Sequence, residues 1–211
     1  MKFRLINAMV LSAALSGNVL ADSKIIINPD NGHSYQRIDT KMTWQNAKTH
    51  CENLDGYLAT MTSKEENKFI YTNLVSPVSG SSWLGGTDES TEGKWEWITG
   101  EEWNFSNWNS GQPDNHYNGT EDYLHFHGKI AWNDVRNSSL YRLICEWNAT
   151  TLETNISPKD SGTITKSPDK TSYSPNEEVS LTAKPATGYK FKQWQGDASG
   201  TEASISLYSL F

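Results

Sequence analysis

The chain has 211 residues, enough for one or two domains, and a folded-protein composition of 36% hydrophobic and 20% charged residues with nine tryptophans. Large aromatic residues serve cores and binding surfaces, which argues against a wholly disordered chain. The formal net charge is −7. A negative net charge disfavours the basic surface that binds nucleic acid or an anionic membrane, so the charge argues against both partners.

The first 21 residues have the three parts of a secretory signal peptide. Lys2 and Arg4 form a basic start, residues 9–15 are apolar, and Ala21 is a small residue before the predicted cleavage point. A buried core helix would not explain these three features together. No later stretch approaches the ~18 apolar residues needed to span a bilayer. The sequence therefore predicts a signal peptide over 1–21 and a soluble mature protein that is secreted or periplasmic.

The two cysteines, Cys51 and Cys145, lie 94 positions apart. Export places them in an oxidising compartment, where a disulfide is the expected state and two free buried thiols are the alternative. Closing so long a loop stabilises a fold by about 4–5 kcal/mol in the chain-entropy model. Such a bond would tie the start of a domain to its end.

The composition changes after Trp147. Eight of the nine tryptophans and both cysteines lie between Trp44 and Trp147, whereas the following residues are polar. Further on, short segments with strand period alternate with Pro and Gly turns, at 163–165, 179–183 and 189–194. We predict a larger domain over 22–150, a linker over 151–160 and a small all-β module over 161–211.

Two helices followed by a strand-rich, loop-rich portion are predicted in the larger domain. Apolar residues recur at helical spacing from Trp44 to Leu54, and Thr43 can cap the first turn. A capping box at 63–66 begins a second helix, which buries residues 69–70. Past this helix the pattern becomes short and strand-like and is broken by glycines.

Oxygen-bearing side chains cluster in three segments of the loop-rich portion, at 88–92, 112–122 and 133–134. Residues 22–150 as a whole carry 18 acidic against 10 basic residues. Calcium takes six to eight oxygen ligands. Five side chains could supply ligands with three formal negative charges: Gln112, Asp114, Glu121, Asn133 and Asp134. A solvated, solubilising surface explains the same residues, so spacing alone leaves both interpretations open.

Pro113 lies between two of these candidate ligands. If the peptide bond before it is cis, Gln112 and Asp114 point to the same side and converge on one ion. An X-Pro bond is the place where cis costs little, about 0.5–1 kcal/mol. An ordinary polar turn is the alternative, because Gly-Gln-Pro-Asp-Asn is good turn chemistry by itself.

The order of these features resembles a C-type lectin-like domain over about residues 30–148. The resemblance is carried by Thr43-Trp44 with Cys51, Trp83-Leu84-Gly85-Gly86, Gln112-Pro113-Asp114, Glu121-Asp122, Trp132-Asn133-Asp134 and Ile144-Cys145-Glu146. It implies an α+β fold of two helices and loop-rich antiparallel sheets, a Cys51–Cys145 disulfide and a cis peptide before Pro113. It also implies a calcium ion held by the five candidate ligands, which binds sugar directly through two vicinal hydroxyls.

The resemblance implies an auxiliary calcium site as well. Its ligands would be Asp88, Glu92, Asn115, Glu121 and Asp122. Asn115 stands where a carboxylate is common in the family, so we expect this site to be weaker or empty. The family's second disulfide is missing, because Tyr123 and Asn137 occupy its positions. Packing and calcium must then order the long loop.

The Gln-Pro-Asp tripeptide resembles the galactose-type pattern of the family, whereas the mannose type carries Glu-Pro-Asn. Galactose binders usually add an aromatic ring that stacks on the sugar, and the matching position is His116, with Tyr117 next to it. The resemblance therefore implies glycans of the galactose or N-acetylgalactosamine type as partners. One shallow site should bind weakly, so useful avidity requires several copies or a multivalent glycan.

The C-terminal module resembles the bacterial repeat related to the internalin B-repeat. The matching segments are 162–165, 173–179 and 188–197. In exported bacterial proteins such a repeat usually serves as a spacer or an adhesive stalk. One copy is present, and the chain stops about where its last strand would finish, so the module is predicted to be small and incomplete.

We interpret the sequence as an exported bacterial calcium-dependent lectin and not as an enzyme, because no nucleophile or acid–base constellation is evident. The adjacent carboxylates Glu101 and Glu102 are better explained by a turn or a solvated edge than by glycosidase chemistry. His125 and His127 share a strand face but have no third ligand for a transition metal. The alternative function is a calcium-independent, protein-binding adhesin module on the same fold.

Overall fold

The computed structural model describes residues 21–209, except for the side chains of Tyr117 and Asn118, and the backbone of a two-residue strand, β1 (Phe3–Arg4). The rest of the predicted signal peptide lies outside the described residues. In the described part of the chain, no helix is both long enough and apolar enough to cross a bilayer. The chain divides into two compact units, with the boundary between residues 148 and 149.

The larger unit is built on a mixed sheet. Its described strands are β2 (Ile26–Ile27), β3 (Ser34–Met42), β4 (Tyr57–Leu58), β5 (Ser81–Thr87), β6 (Glu96–Trp97), β7 (Tyr123–His127), β8 (Trp132–Val135) and β9 (Tyr141–Trp147). The order is β2-β3-β9-β5-β7-β8, with β4 paired to β9 and β6 paired to β5. β5 and β9 run parallel, and the other described pairs are antiparallel. The pairing of β3 with β9 joins the beginning of the unit to its end.

Helix α1 (Trp44–Glu52) begins where the sequence predicts, with the Thr43 hydroxyl accepting a hydrogen bond from the Asn46 N–H. The prediction that its apolar face extends to Leu54 is wrong, since Leu54 is 42% exposed. The helix stops because the chain turns at Asp55, where φ is 57°, and the Gly56 N–H then donates to the Cys51 carbonyl at 2.9 Å.

Helix α2 (Lys64–Ile70) begins at Ser63, whose hydroxyl accepts from the Glu66 N–H at 3.2 Å. The Glu66 carboxylate reaches back one residue further than in a capping box and accepts from the Thr62 N–H at 2.8 Å. The helix continues as a π-helical stretch, Tyr71–Val75. A single helical turn, α3 (His116–Gly119), lies in the loop before β7.

An aromatic cluster fills the interior beneath the loop-rich portion. Trp132, on β8, is fully buried and contacts the rings of Trp97, Trp103, Phe105 and Trp108 at centroid distances of 5.7, 5.8, 5.5 and 6.0 Å. Its Nε1 donates to the Asn67 Oδ1 at 2.7 Å. A buried tryptophan ring in a close-packed core, with its N–H already hydrogen-bonded, cannot shift without losing these contacts. Trp132 therefore fixes the position of β8 and of the residues that follow it.

A disulfide links Cys51 of α1 to Cys145 of β9. Both cysteines are fully buried, and the family resemblance had implied this pairing. The bond holds helix α1 against the central strand of the sheet.

The smaller unit is a four-stranded antiparallel sheet with the order β1-β12-β11-β10, formed by β10 (Gly162–Ser167), β11 (Glu178–Pro185) and β12 (Ser204–Ser209) together with β1. Its buried core consists of Tyr173, Val179, Leu181 and Leu207. The strand predicted over 189–194 is not formed, and one isolated bridge joins Trp194 to Gly200. Both edges of β11 are already paired with β10 and β12, whereas the outer edge of β10 has no partner among the described strands. The alternating pattern of 189–194 therefore does not form a strand even though one sheet edge is free.

Candidate metal site

Three carboxylates converge at one edge of the larger unit. Oxygens of Asp114, Glu121 and Asp134 all lie within 4.8 Å of one another. Asp134 is fully buried, Glu121 is 6% exposed, and Asp114 is exposed. The structure therefore brings together three of the five side chains that the sequence analysis singled out as principal ligands.

Strand β8 positions the deepest of these carboxylates. Trp132 and Asp134 are two residues apart and share the buried face of the strand. The Asp134 carboxylate accepts hydrogen bonds from the Asp114 N–H at 3.3 Å and from the Asn115 N–H at 2.8 Å. Because Asn115 adopts the left-handed conformation with φ of 43°, both N–H groups can point at the same carboxylate. Asp134 thus fastens the 112–116 segment to the sheet.

The peptide bond between Gln112 and Pro113 is cis. The Gln112 Oε1 accepts a hydrogen bond from the Asp114 N–H at 3.0 Å, so the amide lies against its own loop beside Asp114. The amide of Gln112 and the carboxylate of Asp114 therefore belong to one short, internally bonded turn.

Asn133 is oriented by a buried histidine. Its Nδ2 lies 3.3 Å from Nε2 of His125, and Nδ1 of His125 lies 2.9 Å from the Phe126 carbonyl oxygen. Burial lowers the pKa of His125 to about 3, so the ring is neutral. Nδ1 then carries the proton and donates to the carbonyl, and Nε2 accepts from the Asn133 amide. With its nitrogen held in this way, the Asn133 side chain presents its oxygen as the remaining ligand atom.

The sequence analysis weighed His125 as a transition-metal ligand and missed this orienting role. The signal that could have revealed it is the antiparallel register of β7 and β8, which places His125 directly opposite Asn133. A hairpin of short strands fixes that register, but the sequence analysis did not define the hairpin's turn.

The electrostatics of the cluster favour a cation. Burial raises the pKa of Glu121, and the charges of Asp134 and Asp114 raise it further. Burial also raises the pKa of Asp134, although three backbone N–H groups oppose the change. Buried carboxylates that repel one another are costly unless a positive charge lies between them. A divalent cation would supply that charge, and the oxygen-only donor set suits calcium.

A second acidic group surrounds Asp88, one of the predicted auxiliary ligands. Asp88 is 3% exposed, and its Oδ2 accepts from the Gly93 N–H at 2.9 Å, while its Oδ1 is buried with no hydrogen-bond partner among the described residues. Burial raises the pKa of Asp88 to about 6, against the hydrogen bond from Gly93, and the charges of Glu92 and Asp122 add to the rise. Asp88 therefore has a buried oxygen without a described hydrogen-bond partner and is affected by the charges of Glu92 and Asp122. Among the described residues, these three carboxylates do not form a group with ligand atoms within 4.8 Å of one another, as the principal cluster does.

Asn115 does not contribute charge to that group. Its N–H donates to Asp134, and its Oδ1 accepts from the Glu121 N–H at 3.3 Å. Of the two predicted stacking residues, His116 is exposed at the start of α3, and its N–H donates to the Asp114 Oδ1 at 3.3 Å. The side chain of Tyr117 lies outside the described part of the chain.

A different cluster of ionisable groups, which the sequence analysis missed, lies elsewhere in the larger unit. Ligand atoms of His33, Glu66 and Glu146 lie within 4.8 Å of one another. His33 Nδ1 is 2.6 Å from Glu146, and the Tyr35 hydroxyl donates to Glu66 at 2.6 Å. The other oxygens accept from the N–H groups of Thr60 and Thr62. Because hydrogen bonds already satisfy the carboxylates, we regard this cluster as a structural network that joins β3, α2 and β9.

Two family models match consecutive parts of this chain. The model of the lectin C-type domain matches residues 40–147, and that of the divergent InlB B-repeat domain matches residues 152–210. The alpha-N-acetylgalactosamine-specific lectin of Patiria pectinifera is 31% identical over 131 residues, covering 57% of this chain and 77% of that protein. Halomucin of Haloquadratum walsbyi is 29% identical over 160 residues, but the match spans 67% of this chain and 2% of halomucin.

Solved structures give the same result for the fold. The carbohydrate-recognition domain of the human scavenger receptor C-type lectin superposes with a TM-score of 0.52 at 30% identity, covering 56% of this chain and 92% of that one. The predicted α+β fold, with a separate small β module, is thereby confirmed. The chain belongs to the C-type lectin family, and its lectin domain is followed by a divergent InlB B-repeat domain.

Proposed function

We propose that this protein is an exported, calcium-dependent lectin that recognises sugars of the galactose or N-acetylgalactosamine type. The observation that carries the proposal is the convergence of Asp114, Glu121 and Asp134 within 4.8 Å, with two of the three carboxylates buried. Such an arrangement fits a hard divalent cation, because calcium prefers carboxylate and amide oxygens.

The proposed principal site adds the amide oxygens of Gln112 and Asn133 to these three carboxylates. Five side chains supply fewer than the six to eight oxygens that calcium takes, so the ion keeps positions for two hydroxyls of a sugar. When bound, the ion supplies direct coordination to those hydroxyls. The amide NH₂ group of Gln112 would donate a hydrogen bond to a hydroxyl oxygen, and the carboxylates would accept from the hydroxyl protons. The amide nitrogen of Asn133 already donates to His125 and to the Asp134 carbonyl.

The preference for galactose-type sugars rests on the order of amide and acid along the loop. Gln112 places its amide before Pro113 and Asp114 places its acid after it, so donors and acceptors have a fixed arrangement around the ion. The name of the Patiria pectinifera lectin, specific for alpha-N-acetylgalactosamine, supports this preference. The exposed ring of His116 is the proposed stacking surface, with Tyr117 beside it.

We place a second, weaker calcium ion at the auxiliary group of Asp88, Glu92 and Asp122, with Glu121 between the two sites. The unpartnered Oδ1 of Asp88 supports this placement, because a buried carboxylate oxygen normally has a partner. Asn115 reduces the charge available there, and its amide already bonds the Glu121 N–H. This second ion would order the loop rather than contact sugar.

The remaining proposals concern the whole protein. A signal peptide over 1–21 would export the chain to the periplasm or the exterior, and the linker over 151–160 would join the lectin domain to the repeat. Bacterial adhesion is the proposed role, with avidity supplied by several copies or a multivalent glycan.

The proposal is tested by calorimetric titration of the full chain, first with calcium and then with galactose. Asp134→Asn preserves shape and removes one charge, and it should weaken calcium binding by more than about tenfold and abolish calcium-dependent galactose binding. Glu102→Gln, at an exposed position that is not one of the proposed ligands, is the matched control and should bind both normally. Normal binding of calcium and galactose by Asp134→Asn would show that the site is misassigned.

Sugar preference is tested by the exchange Gln112→Glu with Asp114→Asn, which keeps the net charge. The exchanged protein should still bind calcium but prefer mannose to galactose on a glycan array. If the array shows no calcium-dependent glycan binding for the unaltered chain, the alternative of a calcium-independent, protein-binding adhesin is favoured.

A further inference from the structure

The smaller unit contains a cavity of about 400 Å³ that has no part in the proposed calcium site. Its walls come from residues 155–158, strand β10, the end of β11 and the irregular segment 189–195. A volume of this size lies within the ~300–1,000 Å³ range of small-ligand sites. The segment that was predicted as a strand thus forms one wall of a cavity.

Aromatic rings line this wall. Tyr189 is 50% exposed, and the rings of Phe191 and Trp194 contact each other with centroids 5.2 Å apart. Trp194 is held in place, because its Nε1 donates to the Glu202 carbonyl at 2.9 Å and its N–H donates to the Gly200 carbonyl at 2.8 Å. Rigid rings with exposed apolar surface suit stacking against the C–H face of a sugar ring.

The charge of the cavity is opposite to that of the whole chain. Lys184, Lys190 and Lys192 line it, and none of the described residues that line it is acidic. A neighbouring cavity of about 510 Å³, which shares Trp194, is lined by Glu153 and Asp197 and by no lysine among its described residues. In a chain with a net charge of −7, three lysines around one cavity favour a negatively charged ligand.

We propose that this cavity binds an acidic saccharide. The sugar ring stacks on Tyr189 and its aromatic neighbours, and the carboxylate or sulfate of the sugar contacts the ammonium groups of Lys190 and Lys192. Lysine is a compact charge on a flexible stem, so it reaches anionic groups at varied positions on a saccharide. The site needs no metal, and it is therefore independent of the proposed calcium site.

The test is titration of the full chain with a hyaluronan tetrasaccharide in the presence of EDTA, which removes calcium from the lectin domain. We expect measurable binding that weakens as the salt concentration rises. The pair Lys190→Gln with Lys192→Gln, and separately Tyr189→Ala, should each weaken binding by about tenfold, roughly 1.4 kcal/mol. The matched control is Lys166→Gln with Lys170→Gln, which removes two positive charges from the same unit outside the cavity and should change binding less than about twofold.

Four results would overturn the proposal. The first is no binding of the tetrasaccharide in EDTA, and the second is equal weakening by the two lysine pairs, which would indicate a general charge effect. The third is binding of a glutamate tetrapeptide as tight as that of hyaluronan, which would indicate a site for acidic peptides. Neutral chitotetraose should bind much more weakly than hyaluronan, and equal binding would show that the lysines play no part.

Discussion

Nδ2 of Asn133 lies 3.3 Å from Nε2 of His125 and also donates to the Asp134 carbonyl, and these two contacts orient the Asn133 amide beside the proposed calcium ion. The Phe126 carbonyl holds the tautomer of His125 by accepting from Nδ1 at 2.9 Å. A buried neutral ring that is fixed at one nitrogen is a rigid acceptor at the other. The orientation of a proposed calcium ligand therefore depends on a residue that would contact neither the ion nor the sugar.

Replacing His125 by Phe should therefore weaken calcium binding by about 10–100-fold, because partners that orient a ligand have effects of that size. Phe preserves the volume and burial of the ring but offers no acceptor, so the Asn133 amide keeps only its hydrogen bond to the Asp134 carbonyl and is less firmly oriented. Calcium titration of the full chain by calorimetry measures the effect.

The control for this variant is His127→Gln, since His127 is exposed on the same face of β7. It should bind calcium normally. The unfolding temperature of His125→Phe is recorded with EDTA to separate a folding defect from a binding defect. If a stably folded His125→Phe protein bound calcium like the unaltered chain, the orienting role would be wrong.

Removal of calcium should loosen the loop of residues 112–122 and leave the sheet of the larger unit ordered. In EDTA, the repulsion among Asp114, Glu121 and Asp134 is no longer offset, so we expect the amides of 112–122 to exchange hydrogen at least about tenfold faster. Amides of β3 and β9 serve as the internal control and should exchange at unchanged rates. Hydrogen exchange measured by mass spectrometry checks this, and identical loop exchange with and without EDTA would contradict it.

The buried pair of His33 and Glu146 predicts that the free energy of unfolding falls as pH rises. Burial raises the pKa of Glu146 to about 7, and the hydrogen bond to Glu146 raises the pKa of His33. At a pH between the pKa values of the unfolded and folded states, the His33–Glu146 pair of the folded protein retains a proton that the unfolded chain has released. The stability that this proton supplies is full at low pH and is lost as pH rises from about 4.5 through about 7.

Urea denaturation in EDTA at about pH 5 and about pH 8 measures this dependence. The unaltered protein should be more stable at the lower pH. His33→Gln removes one titrating partner and should change the slope, whereas His50→Gln, at the end of α1, should leave it as it is. A slope that is the same in all three proteins would exclude the pair as its source.

The disulfide between Cys51 and Cys145 should contribute much of the stability of the larger unit. It closes a loop of 94 residues, so replacing both cysteines by alanine should lower the free energy of unfolding by about 4–5 kcal/mol in the chain-entropy model. Urea denaturation with saturating calcium measures the loss. A loss below about 1 kcal/mol would indicate that packing alone holds α1 against β9.

Local patterns predicted the elements that local forces form. Helix α1 follows from apolar periodicity and the Thr43 cap, and α2 follows from Ser63. The same patterns were wrong at Leu54, where a turn at Asp55 ends the helix, and over 189–194, which forms no strand although the outer edge of β10 has no described partner. Periodicity indicates which face a segment could bury, but it does not determine whether the segment pairs with a neighbouring strand.

The sequence by itself determined the family, the two-domain composition and the cysteine pair, because each is carried by residue type and order along the chain. The five oxygen ligands that the resemblance implies stay a prediction. Only the tertiary structure decided that Asp114, Glu121 and Asp134 lie within 4.8 Å, that His125 holds Asn133, and that His33 meets Glu146 across 113 positions. These relationships depend on the register of β7 with β8 and on the packing of β3, α2 and β9. Register and packing are set by the whole core at once, so no local stretch of sequence encodes them.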